Sequence, residues 1–306
     1  MIVSITGGRG FIGQSLVKKH LNQKDEVRVL SRKKFFNHQR AKLFVGDLVD
    51  NNINLSEFVD GADVVYHCAG EYRDKSLMYD LHIDGTQRLI DCSNGKIGRW
   101  VQLSSVGVYG VVRNGVISEE AQENPSGLYE KTKAKAEKLV SESGIPYVIL
   151  RPSNVIGEKM SNQSVFQLIK MIEKGFFAYL GKSKSLVNYV HVDDVVNALM
   201  CCAISQNSLG KRYNLSQTIE VEAMVNSILL GLNVKHNFMR LPLLPVRFFV
   251  KLFQIFPGFP LTISRIDALT GNSQYKSNKI TEELNFEFKS KLEEHFKLLA
   301  KLKSQS

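Results

Sequence analysis

The sequence predicts an α/β protein built on a doubly wound parallel sheet, with a smaller C-terminal part. Three observations carry that expectation. The first half alternates short β-branched runs with amphipathic stretches, the pattern of successive βαβ units. A glycine turn, Thr6-Gly7-Gly8-Arg9-Gly10-Phe11-Ile12-Gly13, links the first such run to the first amphipathic stretch. After Arg151 the alternation stops, and helical and extended stretches follow without a regular rhythm.

Element by element, Met1–Thr6 reads as the first strand and the helix after it as about Phe11 to Leu21. Glu26–Ser31 and Lys42–Val45 are the next strands, and Asp63–His67 a fourth, before a helix over Leu77–Asn94. Trp100–Ser104 is a fifth strand. The Lys/Glu-rich helix Tyr129–Ser143 is stopped by Gly144 and Pro146, and Tyr147–Leu150 is a sixth strand ended by Pro152. Beyond it, Gln163–Glu173 and Asp194–Cys202 look helical, Asn188–His191 extended, and Leu292–Lys303 helical. The reading divides the chain into a dinucleotide-binding part, 1–151, and a mainly substrate-binding part, 152–306, with a return strand near 211–215 rejoining the sheet. The stretch Leu241–Pro260 is apolar but broken by prolines, Arg247 and Lys251, so it does not read as a membrane span. Burial against a substrate pocket is expected of it; peripheral membrane contact through Val246–Phe256 is the second reading.

Composition narrows the function classes. With 43% hydrophobic and 23% charged residues in 306, the chain is neither disordered nor a disulfide scaffold. Its four cysteines form no CxxC pair and read as reduced thiols, and no basic leader precedes Ile2, so a cytoplasmic protein is expected. The net charge of +10 reads either as a solvated basic surface or as a sign of an anionic partner, and between Val27 and Gly46 Arg28, Arg32, Lys33, Lys34, Arg40 and Lys42 cluster without a carboxylate. Zinc-finger spacing and RNP-like aromatics are missing, which sets nucleic acid aside. Seven histidines form no HExxH or close cluster, and no metal is expected.

Two motifs carry chemistry. Gly7 and Gly10 allow a tight turn and a close backbone approach to a pyrophosphate, Gly13 allows close helix–strand packing, and the following helix offers its N–H groups to the anion. At the end of the second strand, where an NAD protein usually has a carboxylate for the ribose, stand Ser31 and Arg32; a cation there suits a 2′-phosphate, and Arg9 could reach the same group. NADP(H) is therefore favoured, with NAD(H) as the alternative. Second, Tyr129 and Lys133 lie at i and i+4 on one helix face, where an ammonium would favour the phenolate and suit proton transfer at a carbonyl or alcohol oxygen. Tyr275 and Lys279 repeat the spacing, but in the tail, where no parallel-sheet element is expected to feed them.

These motifs, with Val64-Val65-Tyr66-His67-Cys68-Ala69-Gly70, Ser104-Ser105-Val106-Gly107-Val108-Tyr109-Gly110, Leu150-Arg151-Pro152-Ser153-Asn154 and Tyr189-Val190-His191-Val192-Asp193-Asp194, resemble the extended short-chain dehydrogenase/reductases, in particular the NAD-dependent epimerase/dehydratase branch. The resemblance implies a Rossmann fold and a homodimer packed through Leu77–Asn94 and Tyr129–Ser143. It implies redox chemistry at a carbinol or ketone carbon, most often C4 of a nucleotide-linked sugar. Ser105 would bind the reacting oxygen, Tyr129 would be the acid–base, and Lys133 would bind the nicotinamide ribose and lower the Tyr129 pKa. Asp47 and Leu48 would meet the adenine, and Phe11, Ile12, Cys68, Ala69, Gly70 and Pro152 would line the cofactor. Asn154 would contact the substrate phosphates.

Two departures stand out: His82 replaces the usual Asn, as a tolerated swap or an altered proton relay, and Val187-Asn188 replace a diphosphate-binding Arg, leaving Arg265 or Arg212 for that role. A reductase using NADP(H) is the first reading. A 4-epimerase with retained NAD, a reductase of a non-sugar ketone, and a non-catalytic regulatory protein are the alternatives.

Overall fold

The computed structural model describes residues 1–34, 40–160, 163–181, 184–253, 255 and 262–304. Its main sheet has seven strands, numbered here along the chain: β1 Ile2–Thr6, β2 Glu26–Ser31, β3 Lys42–Val45, β4 Val64–His67, β5 Arg99–Leu103, β6 Tyr147–Pro152 and β7 Lys211–Leu215. They lie in the order β7-β6-β5-β4-β1-β2-β3 and every pair is parallel. This is the doubly wound sheet that the sequence predicts.

The apolar runs of β1, β4, β5 and β6 fit a sheet covered on both faces. On one face the helices Phe11–Asn22 and Val192–Ile204 bury Leu16, Val17, Val195 and Leu199 against Val3, Ile5, Val101 and Val148. On the other, Phe58, Leu89 and Val140 pack around Val65 and Trp100. The strand order reverses between β1 and β4, so the connections leaving their carboxyl ends diverge and open a crevice.

The rest of the chain builds a second core. Helices Ser164–Glu173, Val221–Leu232 and Leu292–Ser304 bury Ile169, Ile172, Met224, Ile228, Phe296 and Leu299 together. A three-stranded sheet, Gln217–Glu220 beside Leu186–His191 beside Asn154–Ile156, connects this core to the main sheet's carboxyl edge.

Three features depart from the sequence reading. The helix expected over Leu77–Asn94 starts at Lys75 and passes through a π turn at Asp80–Asp84 before continuing as Gly85–Ser93. Asn272–Tyr275 is a strand, parallel to Asn114–Ile117, so Tyr275 does follow a parallel pairing, formed by two short segments of which only Val116-Ile117 is β-branched. Finally, Leu243–Phe253 is a helix that leaves Leu244, Phe248, Phe249 and Leu252 at least half exposed instead of burying them against a pocket; Gln254 and residues 256–260 of that apolar stretch lie outside the described residues. Val250 is the fully buried side chain of this helix, with Leu243, Val246 and Arg247 half-buried beside it.

Candidate active site

Two clefts lie at the carboxyl edge of the main sheet. The first, of about 370 Å³, lies over the crevice between β1 and β4 and is lined by Gly7, Arg9, Gly10, Ser31, Arg32, Asp47, Leu48, Cys68, Ala69 and Gly70. Gly7 holds a φ of 67°, and a Cβ there would sit 2.6 Å from the Cys68 carbonyl oxygen. Gly13 lies against Gly7 so closely that a Cβ would meet its carbonyl oxygen at 2.1 Å. Gly10 is the N-cap of the helix Phe11–Asn22, whose first N–H groups have no side-chain cap. A cradle that only glycine can line, opening on a helix N-terminus, fits a dinucleotide pyrophosphate.

At the far end of this cleft Arg32 is 68% exposed, with its guanidinium 3.9 Å from the Asp47 carboxylate. Asp47 also accepts the Val49 N–H at 3.2 Å. Burial pushes the Cys68 thiol up to about 12, so it is a neutral wall of the cleft. Phe11 and Ile12 do not line the cleft. Phe11 packs towards Gly157 and the second core, and Ile12 against the first. Pro152 is buried at the end of β6, also away from it.

The second cleft, of about 640 Å³, is lined by Ser105, Tyr129, Ser153 and Asn154, with Arg113, Asn188, Asp267 and Tyr275 among its other walls. Ser105 ends β5's extension and caps a 3-10 turn by accepting the Gly107 N–H at 3.0 Å. Tyr129 is on the first turn of the helix Leu128–Glu142, and Lys133 one turn further on. Burial, with help from the Glu130 carboxylate, pushes the Tyr129 phenol up to about 12. Lys133 is not among the groups that shift it: the ammonium donates to the Leu103 carbonyl at 3.0 Å, beneath the Gly70 backbone. Burial brings Lys133 itself down to about 8, against the pull of Cys68 and Glu137.

His82 is buried on the π turn and is fully hydrogen-bonded. Its Nε2 accepts the Glu71 N–H at 2.8 Å, so its Nδ1–H donates to Thr132 Oγ1 at 2.8 Å, and Thr132 in turn donates to the Tyr129 carbonyl at 3.0 Å. A parallel chain runs from the Ala69 N–H to Thr6 Oγ1, from Thr6 to His67 Nδ1, from His67 Nε2–H to Thr86 Oγ1, and from Thr86 to the His82 carbonyl. Both imidazoles are neutral: burial and the neighbouring Lys133 ammonium bring each down to about 3. These two wires tie the end of β4 and the loop after it to the helix that carries Tyr129 and Lys133. His82 is thus a positioning residue, and a neutral one.

The cations assigned to a diphosphate are elsewhere. Arg265 donates to Gln167 at 2.7 Å and does not line the second cleft; Arg212 sits 3.5 Å from Glu137. The cleft's own cation is Arg113, 55% exposed and 3.0 Å from Asp267. The sequence reading passes over Arg113 because it precedes a polar strand with no motif around it. Asn154 is exposed at the cleft wall and reaches the Asn188 carbonyl at 3.2 Å. Tyr275 lines the same cleft, stacked on Tyr109 at 6.1 Å, but it ends a strand, whereas Lys279 belongs to the following helix and faces Tyr213. The repeated spacing therefore yields no shared helix face.

Comparison with known proteins gives a consistent likeness. The model of the NAD dependent epimerase/dehydratase family matches residues 3–216. An uncharacterized protein of Sinorhizobium fredii, y4nG, is 29% identical over 222 residues, covering 69% of this chain and 55% of that protein. The sterol-4-alpha-carboxylate 3-dehydrogenase, decarboxylating, of Mus musculus is 28% identical over 249 residues, covering 75% of this chain and 68% of the mouse protein. The chain thus spans little more than half the length of the first of these relatives. Among solved structures, the UDP-glucuronic acid 4-epimerase of Bacillus cereus in complex with NAD superposes with a TM-score of 0.77 at 19% identity, covering 100% of this chain and 97% of that one.

Proposed function

This chain belongs to the NAD dependent epimerase/dehydratase family, and we propose that within it the protein reduces a keto group, at C4 of a nucleotide-linked sugar, using NADP(H). The observation that carries the reading is the placement of Ser105 and Tyr129 in one cleft with Lys133 one turn behind, at the border of the glycine-lined cleft. Residues 1–151 would hold the dinucleotide and 152–306 most of the substrate. Gly7, Gly10 and the N-terminus of the helix Phe11–Asn22 would bind the pyrophosphate, with Asp47 and Leu48 beside the adenine. When bound, the reduced nicotinamide supplies a hydride equivalent to the carbonyl carbon.

The chain's own residues manage the oxygen. Ser105 Oγ–H donates a hydrogen bond to it. Tyr129, a neutral phenol at physiological pH because its pKa is pushed up to about 12, delivers the proton that completes the alcohol. Lys133, already donating to the Leu103 carbonyl, has further N–H groups for a ribose hydroxyl. Arg113 would meet the substrate diphosphate, exchanging Asp267 for it, and Asn154 would add a donor.

NADP(H) is favoured by Arg32. Its contact with Asp47 is long and exposed, worth at most about 1 kcal/mol, whereas a charge-assisted bond to a 2′-phosphate is worth about 1.5–3 kcal/mol. The same carboxylate is the specific observation behind a second reading, a 4-epimerase that retains NAD, since Asp47 disfavours an added phosphate nearby. A cytoplasmic homodimer packed through the helices over 75–93 and 128–142 completes the proposal.

The test is incubation with NADPH and a panel of nucleotide-linked 4-keto sugars. Consumption of nicotinamide absorbance with appearance of the alcohol is expected. Interconversion of two C4 epimers with no net consumption of added NADPH would replace the reductase reading by the epimerase one.

A further inference from the structure

The helix Leu243–Phe253 is inside out. Leu244 is 81% exposed, Phe248 64%, Phe249 59% and Leu252 50%, while Val250 on the opposite side is buried. At about 100° per residue, the exposed apolar side chains cover roughly half of the helix circumference. Met239, just before the helix, and Ile255, just after it, extend the same apolar surface, at 69% and 79% exposure. An apolar face of this size in water is unfavourable unless something covers it.

Charge says what covers it. From residue 223 to residue 266 the sequence holds Lys235, Arg240, Arg247, Lys251 and Arg265 and no Asp or Glu; Arg240 and Arg247 are paired with Glu222 and Asp267 at the two ends of that run, while Lys235 and Lys251 are exposed. Arg247 and Lys251 lie on the helix itself, one turn apart beside one edge of the apolar arc. Apolar side chains facing outward with cations along the border fit an anionic lipid surface, where the rings enter the acyl boundary and the cations meet the headgroup phosphates. A buried protein interface would instead disfavour the border lysine. Among the described residues no helix is long and apolar enough to cross a membrane, so the helix would lie in the interface plane.

We infer that Leu243–Phe253 is an in-plane membrane-docking helix that holds this protein on anionic bilayers. It packs on the helix Ile263–Thr270, which contributes Ile263, Asp267 and Ala268 to the substrate cleft, and its Arg247 is paired with Asp267. Docking therefore places the substrate cleft one helix away from the bilayer.

Co-sedimentation with vesicles tests this, using phosphatidylcholine alone and phosphatidylcholine mixed with phosphatidylglycerol. The full chain should pellet with the anionic vesicles, less so as salt rises, and hardly with the neutral ones. Replacing both exposed rings (Phe248→Ser with Phe249→Ser) should weaken binding by ~10-fold or more. Lys251→Glu, an exposed change that leaves the core untouched, should weaken it by ~5-fold or more. Failure of the unaltered chain to pellet with anionic vesicles would overturn the inference, as would unchanged binding by the charge variant. So would light scattering in which the ring substitutions halve the mass of the particle, because the face would then be covered by a second copy.

Discussion

Replacing His82 by Asn should remove a specific part of the pH dependence of stability. In the folded protein His82 is held neutral down to about pH 3 by burial and by the Lys133 ammonium, while in the unfolded chain it titrates near the usual 6.5. The folded pKa is thus the lower of the two. Between those values the unfolded chain takes up a proton that the folded chain refuses, so stability falls as pH falls, by about 1.4 kcal/mol per pH unit for each such histidine. His67 behaves in the same way, and the pair should contribute about 2.7 kcal/mol per unit between about pH 6 and pH 4.

His82→Asn leaves one of Glu71 N–H and Thr132 Oγ1 without its partner, which lowers stability at every pH by about 1–3 kcal/mol. That offset does not alter the slope. Urea titrations across this pH range, followed through the buried Trp100, should give a slope smaller by about 1.4 kcal/mol per unit in the variant. Equal slopes would mean that His82 does titrate in the folded protein, and the neutral wiring described above would be wrong.

Tyr129→Phe should lower turnover by ~10²-fold or more and leave cofactor affinity unchanged, whereas Tyr275→Phe keeps most of the activity; steady-state rates on both decide between them. Arg32→Ala should cost NADPH roughly 10–150-fold in affinity and leave NADH nearly untouched, as read by calorimetric titration. Equal affinities of the unaltered protein for the two cofactors would return the epimerase reading to first place. Gly13→Ala forces a methyl group into the space held by the Gly7 carbonyl and should destabilise the fold by about 1–3 kcal/mol while weakening dinucleotide binding, measurable in the same titration. Light scattering at micromolar concentration should give the mass of a dimer, and a monomer would remove the helices over 75–93 and 128–142 from that role.

The main sheet was legible in the sequence because buried parallel strands read as apolar runs and because Gly7 and Gly13 leave a trace in composition where side chains cannot fit. The alternation of those runs with helices also placed Tyr129 beside Ser105. What stayed hidden depends on partners distant in the chain. Asn272–Tyr275 becomes a strand only through Asn114–Ile117, and its own Asn-Ser-Gln-Tyr has no β-rich composition. The helix Val221–Leu232 is apolar on nearly all sides, so no polar stripe marks it. For Leu243–Phe253 the hydropathy was plain, but hydropathy does not say which way a face points. The neutrality of His82 follows from its burial beside the Lys133 ammonium and from the Glu71 N–H aimed at Nε2, which no spacing reveals.

The guanidinium of Arg151 has a consequence for how divisible this protein is. It is completely buried at the end of β6, bonded to Glu137 at 2.9 Å, to Tyr109 at 2.8 Å and to Glu123, while Tyr109 donates to Asn214 of β7 at 2.9 Å and Ser104 donates to the same Glu137. Five stretches of chain on both sides of residue 151 thus share one charge cluster, and the last of them arrives some sixty residues after the Arg itself. A polypeptide cut after Arg151 would lose β7, leave Tyr109 without its acceptor and open the Arg–Glu cluster to water at the edge of β6. Residues 1–151 and 152–306 are therefore tied together by this cluster, and removing residue 214 would take away the acceptor that holds Tyr109 against Arg151.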